Sequence, residues 1–481
     1  MSNYKDLIFD KSFINGEWTD GTGKKLEITN PADGTEVAKV YNHDISHVKK
    51  AIDAAHDAFP TWSGKTAKER SGIMKKWFDL IMKNKDEIAH IMALESAKPL
   101  AECKGEIDYG AGFVEWYAEQ AKRNNGSTIP GYTEDRRVKV IKQPVGVVGA
   151  ITPWNFPLAM ITRKIAPALS IGCTIVSRPS ISTPLTALTL VHLAEKAGFP
   201  KGVFNMVIGD DSSAMGKELC ENPKVAKISF TGSTRVGKIL MEQCSQDLKR
   251  LSLELGGNAP LIVFEDANID DAVEGAMAGK FRFSGQTCVC VNRILVHENV
   301  HNEFVEKFVK AAQNLKIGPG LEEGVNFGAL INTKAVEKMQ GFVDDAKEKG
   351  GKVLHGGKKI DDHFYPPTVI TNATPEMKFA KEEIFGPVAP IFKFKTEEEA
   401  IQMANDTVYG LASYYYTNDL NRSIRMSEQL EYGIVGLNTG LISNESVPFG
   451  GIKHSGFGRE GSVYGLEDFV HIKYICTGNV K

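Results

Sequence analysis

The stretch FRFSGQTCVC places two thiols, Cys288 and Cys290, one residue apart behind a Gly-Gln turn. A zinc clip uses a two-residue spacer, so this spacing points instead to a disulfide, to a nucleophile with a companion, or to two small core residues. Cys288 comes at the end of a helix-like stretch that begins near Asn268, where Gly285 stops the helix and exposes the next few residues. A thiolate there adds readily to a carbonyl carbon and leaves again, whereas the commoner fate of a free cysteine is burial as a small hydrophobe. From these residues alone both readings stand. Glu254 in LELGGN is flanked by Leu253 and Leu255, which desolvate a carboxylate and raise its pKa towards that of a general base. A carboxylate capped by an amide or an arginine is the alternative. The glycines behind it, Gly256 and Gly257, permit close backbone approach. Asn155 in TPWNFP follows a β-like run and precedes Pro157, a residue favoured in the first turn of a helix. Its side-chain amide can donate to a developing oxyanion or simply cap a helix. In SFTGSTRVG, Gly232, Ser233, Thr234 and Gly237 form a strand-to-helix turn whose amides suit a pyrophosphate; it is not the GxGxxG fingerprint, and a plain loop uses similar residues.

These groups must be held by a chain of 481 residues, long enough for two or three domains. Its 57 basic residues balance 60 acidic ones, which argues against nucleic acid or an anionic membrane surface as partner. The N-terminus lacks the apolar core of a signal peptide, and no window is apolar enough for a membrane span, so a soluble cytoplasmic protein is expected. Seven scattered cysteines, an odd number, read as reduced thiols. Thr66 and Glu69 make a capping box for a helical run through Ile73, Trp77, Leu80 and Ile81 to about Ser96, and Val48, Ile52, Ala55 and Phe59 mark an earlier helix. From Arg137, short β-branched runs (VKVIKQPVGVVGAIT, CTIVSR, VFNMVIG, KISFTG) alternate with helix-like segments, which predicts a parallel sheet with crossover helices. Gly256-Gly257 looks like a boundary before a second alternating block that begins PLIVF. Strand-like segments near 127–142 and at EDFVHIKYICTG belong to neither block, and such segments often pair across subunits.

TPWNFP, FTGSTRVG, LELGGNAP, GQTC, EEIFGP and PFGGIKHSGFGREG, in this order and across almost the whole chain, resemble the motif series of the aldehyde dehydrogenase superfamily. MITRK, EYGIVGLNTGLISNE and the CVC at the nucleophile are similar to its succinate semialdehyde dehydrogenase branch. The resemblance implies an α/β fold: a Rossmann-type dinucleotide-binding domain over 1–126 and 148–255, an α/β catalytic domain over 256–452, and a small β arm for oligomerisation over 127–147 and 453–481. It implies a homodimer or homotetramer. Carried onto this sequence, Cys288 attacks the aldehyde carbon to give a thiohemiacetal, and Asn155 with the Cys288 amide holds the oxyanion. The hydride passes to nicotinamide, and Glu254 activates water to hydrolyse the thioester. Glu383 and Phe385 would hold the nicotinamide ribose, Ser233 with Gly232 and Gly237 the pyrophosphate, and Trp154 would line the pocket; no metal is implied.

Arg163, eight residues after Asn155 on the helix that Pro157 is expected to start, and Arg282, about 9 Å from Cys288 if that segment is helical, match with Ser443 the branch's carboxylate-binding residues. Their alternative is ordinary ion pairing. In VSRPSISTP, the family's usual lysine is Arg178, and Ile181 stands where NAD-preferring members carry glutamate. Without that carboxylate, Arg178 and Ser180 suit a 2′-phosphate, so NADP is expected over NAD. The expected substrate is succinate semialdehyde. Glutarate semialdehyde or a neutral aliphatic aldehyde is the runner-up, and a catalytically inactive binding relative is the alternative from another class. A Cys288–Cys290 disulfide would be strained and easily reduced, suited to a redox switch; the alternative for Cys290 is a small residue packed beside the active loop.

Overall fold

The computed structural model describes residues 3–480. Its largest sheet has eight strands in the spatial order 456–457, 250–254, 225–231, 147–151, 174–178, 204–206, 12–14, 17–19. The middle five run parallel, and Val147–Ile151 and Thr174–Arg178 are buried along their whole length. Burial on both faces is what continuous β-branched runs with helical crossovers require. Val147–Ile151 is the earliest of the five in the chain, yet it sits third, with later strands added on both sides. The strand order therefore reverses beside it, and in open α/β sheets ligands bind outside the carboxyl ends of the strands at such a reversal.

The second sheet has seven strands, in the order 352–355, 368–371, 388–394, 291–297, 259–263, 412–416, 434–437, all parallel except the first. A third sheet pairs Val470–Thr477, Arg137–Pro144 and Ser127–Ile129 antiparallel. Among the described residues no helix is long and apolar enough to cross a membrane.

Several local expectations are modified. The single run VKVIKQPVGVVGAIT serves two sheets, split at Gly146 with φ of 127°. The helical run from Thr66 divides at Asn84 into Ala67–Lys83 and Lys85–Ser96, while the Thr66–Glu69 capping box forms as expected. Residues from 453 onward do not all lie in the third sheet: Gly456–Phe457 adds an edge strand to the first, beside Arg250–Glu254. Pro157 does not start the helix that bears Arg163; that helix is Ala159–Ile171, and its own N-cap side chain makes no capping bond. The helix after Asn268 ends at Phe281, before the glycine, because Phe283 and Ser284 take left-handed backbone angles (φ 47° and 52°). Arg282 and Cys288 are thus not on one helix.

The helix Leu100–Gln120, with Cys103, Glu106, Ile107, Gly110, Val114 and Tyr117 inward, packs on Ala159–Ile171. Gly110 makes this approach possible. A β-carbon there would lie 2.1 Å from Leu158 Cδ2 and 3.0 Å from the Ala159 α-carbon. Replacing Gly110 with Val should lower stability by about 1–3 kcal/mol through overpacking. The check is the midpoint of urea unfolding, and an unchanged midpoint would show that the two helices part without cost.

Candidate active site

The carboxyl edge of the first sheet is level. Ile151 pairs with Arg178 and with Phe230, and Thr231 pairs with Glu254, so four strand ends finish side by side. The TPWNFP turn, the GST turn and Glu254 all leave this edge next to the reversal of strand order. Opposite it is the amino edge of the second sheet, where Cys288 precedes the strand Val291–His297. Gly256-Gly257 crosses between them so closely that a β-carbon on Gly257 would lie 2.6 Å from the Cys288 carbonyl oxygen.

Cys288 opens into a cavity of about 280 Å³ that Arg163, Arg282 and Ser443 also line, together with Tyr109, Phe156 and Phe449. Three residues singled out for a carboxylate and one for nucleophilic attack thus meet in one chamber. Burial pushes the Cys288 thiol up to about 11; Arg163 opposes this and Glu254 adds to it. Arg163 is buried, pairs with Glu460 and lies with its guanidinium carbon 4.5 Å from the centre of the Phe449 ring, yet its Nη2 has no protein partner. Arg282 lies 5.6 Å from the centre of the Phe156 ring.

Glu254 ends its strand fully enclosed, and neither carboxylate oxygen has a protein partner. Burial drives its pKa well above the usual carboxylate range, and the nearby Glu460 charge adds to the rise against Arg163, Lys164 and Arg459. Glu460 behaves oppositely. Burial alone would raise it, but Arg163 and Lys164 outweigh that and hold it low. Two neighbouring carboxyls are therefore driven apart, the pattern of an anion kept charged beside a base with raised affinity for a proton.

Asn155 donates from Nδ2 to the Gln286 carbonyl at 3.0 Å, while its Oδ1 is unpaired. An amide nitrogen has two N–H groups, so one donor remains. The Asn155 carbonyl accepts from Lys98 Nζ at 2.9 Å, and Lys98 also pairs with Glu106. Glu106 Oε1 accepts from the Leu158 and Ala159 amides at 2.9 and 3.3 Å, capping the helix that carries Arg163. Lys98, Glu106, Lys164 and Glu460 were not identified from sequence as site residues, although Lys164 lies in MITRK and Glu460 in GREG.

Along the cofactor side, Glu383 Oε1 accepts from the Gly257 amide at 2.9 Å, and burial raises its pKa to about 7. Phe385 stands edge-on to Trp154 with ring centres 5.7 Å apart. Ser233 caps the helix Thr234–Cys244 through Val236, and the Gly232 amide donates to the Glu254 carbonyl at 3.1 Å. Gly237 does not face this cleft; it lets the helix press on Leu255, where a β-carbon would lie 2.6 Å from Cδ2. Arg178 is buried, with Nη2 bound to the Gly209 carbonyl and the Ser212 hydroxyl, and burial lowers its pKa to about 10. Ser180 Oγ accepts from the Ser182 amide at 3.2 Å, and Ile181 is partly exposed beside it. Arg178 and Ser180 are thus not joined by a contact and are partly committed to protein partners. Cys290 is buried, with Lys280 Nζ 3.5 Å from its sulfur and the Lys280 carbonyl accepting from its thiol at 3.4 Å; it lines no part of the cavity.

A dinucleotide fits this edge. The eleven-residue helix Thr234–Cys244 begins there behind its cap Ser233, and Gly256, where a β-carbon would lie 2.9 Å from Glu383 Oε2, keeps the cleft free of side chain.

Comparison with known proteins agrees with this geometry. The family model described as the aldehyde dehydrogenase family matches residues 18–475. The chain is 54% identical over 99% of both sequences to the NADP(+) succinate-semialdehyde dehydrogenase GabD of Escherichia coli (strain K12). It is also 54% identical, over 98% of each, to the glutarate-semialdehyde dehydrogenase of Pseudomonas putida (strain KT2440). The crystal structure of succinate-semialdehyde dehydrogenase from Burkholderia pseudomallei, 51% identical, superposes with a TM-score of 0.97 over 98% of each chain. The chain belongs to the aldehyde dehydrogenase family.

Proposed function

We propose that this protein oxidises succinate semialdehyde to succinate, with NADP as the preferred hydride acceptor and NAD as the second. One observation carries the reading: the cavity that opens on Cys288 also presents Arg163, Arg282 and Ser443. A thiol and two guanidinium groups around about 280 Å³ suit a short aldehyde with a carboxylate at its far end. Glutarate semialdehyde is the second substrate, favoured by the equal identity to the Pseudomonas putida enzyme.

In this mechanism the Cys288 sulfur adds to the aldehyde carbon while Arg282 and Ser443 grip the distal carboxylate. Arg163 contributes its unpaired Nη2. The free N–H of the Asn155 amide and the Cys288 backbone N–H face the oxyanion. Trp154, Gly232, Ser233, Glu383 and Phe385 would hold a nicotinamide dinucleotide along this edge, which would supply the hydride acceptor for oxidising the thiohemiacetal on Cys288 to a thioester. Glu254, whose enclosure raises its affinity for a proton, takes in its ionised form a proton from water as that water attacks the thioester, and the thiolate leaves. Retention of Cys288, Glu254 and Asn155 around one cleft argues against an inactive relative.

The NADP preference rests on Ile181, which brings no carboxylate to the adenosine ribose, and on the similarity to the NADP(+) enzyme of Escherichia coli. The three sheets support a division into a dinucleotide-binding part (1–126 and 148–255), a catalytic part (256–452) and an arm built on 127–147 and the C-terminal strand. That arm exposes Ile472 at 72% and Tyr474 at 57%, an apolar face suited to a second copy in a homodimer or homotetramer. Seven free cysteines fit a reducing compartment, the cytoplasm.

Replacing Arg282 with Ala should cut kcat/KM for succinate semialdehyde by about tenfold to a hundredfold, the weight of a charged hydrogen bond, and much less for butanal. Equal losses would contradict carboxylate reading, and in the same assay NADP should outperform NAD. Glu254→Gln should release a single burst of reduced nicotinamide and then stall, with an acyl group on Cys288 in the mass spectrum; sustained turnover would remove Glu254 from hydrolysis. Charging the arm through Ile472→Asp with Tyr474→Asp should shift sedimentation to a smaller species, and an unmoved coefficient would place the interface elsewhere.

A further inference from the structure

We infer that Glu102 is a specificity residue of this site: its carboxyl group shares the substrate cavity with Arg282 and, when ionised, competes with the substrate's own carboxylate for that guanidinium. The inference rests on the semialdehyde reading above. Glu102 and Arg282 both line the cavity that holds Cys288. Both also line an adjoining cavity of about 390 Å³ on the outer side, beside Glu274, Met277, Phe281 and Leu441. The two side chains therefore form the wall between inner and outer chambers. Glu102 Oε2 accepts from the Phe283 amide at 2.8 Å, which ties the carboxyl to the residue next to Arg282. The left-handed angles of Phe283 and Ser284 turn the chain so that this amide faces the Leu100–Gln120 helix.

The charges around Glu102 define how it responds. Lys98 lies just before its helix and Glu106 one turn further along it, and these two already neutralise each other. Arg282 faces it from the turn after Phe281. Across the inner chamber stand Tyr109, Arg163 and Cys288, and across the outer one Glu274. Arg163 is engaged by Glu460, which leaves Arg282 as the cation that Glu102 and a substrate carboxylate must share. Burial pushes the Glu102 carboxyl up to about 7 against the pull of Lys98 and Arg282. Below that pH it is neutral and Arg282 is free for substrate. Above it a second negative charge occupies the chamber, so ionisation of Glu102 and binding of an anionic aldehyde oppose each other, reciprocally. A neutral aldehyde of the same length is indifferent to this charge.

The test is the ratio of kcat/KM for succinate semialdehyde to that for butanal, at saturating cofactor, as a function of pH. The effect of Cys288 and Glu254 titration on the chemical step is common to both substrates and cancels in the ratio, and any effect of their charge on the anionic substrate persists in Glu102→Gln, which separates it from that of Glu102. For the unaltered protein the ratio should fall about tenfold between roughly pH 6 and pH 8.5, as expected for two like charges sharing a screened chamber. Glu102→Gln keeps the acceptor for the Phe283 amide and should flatten the profile, with the ratio at high pH raised. Glu102→Asp should retain the fall, and serves if the Gln variant does not fold. A semialdehyde preference that is flat with pH, or a fall that persists in Glu102→Gln, overturns the role of Glu102 alone. No preference for the semialdehyde at any pH overturns the substrate reading itself, and this inference with it.

Discussion

The Glu106 carboxylate is the contact on which the site depends. One of its oxygens accepts from the Leu158 and Ala159 amides at the start of a wholly buried helix, and the other pairs with Lys98, which in turn holds the Asn155 carbonyl. A helix N-terminus inside a protein has orphan N–H groups and a positive end, and here no residue of the helix caps them. An anion supplied by a neighbouring helix meets both needs. Because Lys98 balances that anion, the buried pair is tolerated, and removing either partner would cost about 3–5 kcal/mol. Asn155 and Arg163 are therefore positioned through one buried ionic contact.

A second ionic cluster sets the chemistry. Arg163 and Lys164, adjacent on that helix, both engage Glu460 from the far end of the chain. Their charge keeps Glu460 ionised, and its charge in turn discourages ionisation of Glu254. The proposed base, raised first by burial, is thus raised further by a carboxylate it does not touch, and of the two cations that hold that carboxylate Arg163 also lines the cavity. This explains why Arg163 is less free to bind substrate than its position suggests.

The sequence was most informative where one residue type does one local job. The Thr66–Glu69 cap, the β-branched runs of the parallel strands and the glycine approach at Gly257 depend on a few neighbouring residues. The gathering of Cys288, Arg163, Arg282 and Ser443 followed from motif resemblance, and spacing alone would have misplaced Arg282, since Phe283 and Ser284 turn left-handed without a glycine to signal it. The helix Leu100–Gln120 is hard to read from the sequence because its inward face includes Glu106 and Gly110 among its apolar residues, which blurs the helical period. Lys98 was missed for a related reason: a charge is read as solvent-facing until its partner is known. The sequence offers Arg178 as a phosphate ligand, and only the fold reveals that Ser212 and the Gly209 carbonyl already claim one end of its guanidinium.

The proposed nucleophile and the proposed base ride on different sheets. Glu254 terminates a strand of the first, Cys288 precedes a strand of the second, and Gly256-Gly257 runs between them. Turnover is consequently a gauge of alignment between the two halves, since a slip of one against the other separates sulfur from carboxylate before any strand melts. Mild chaotropes, crowding or a bound neighbour that nudges either half would all register first as a change in rate, with the backbone spectrum still native.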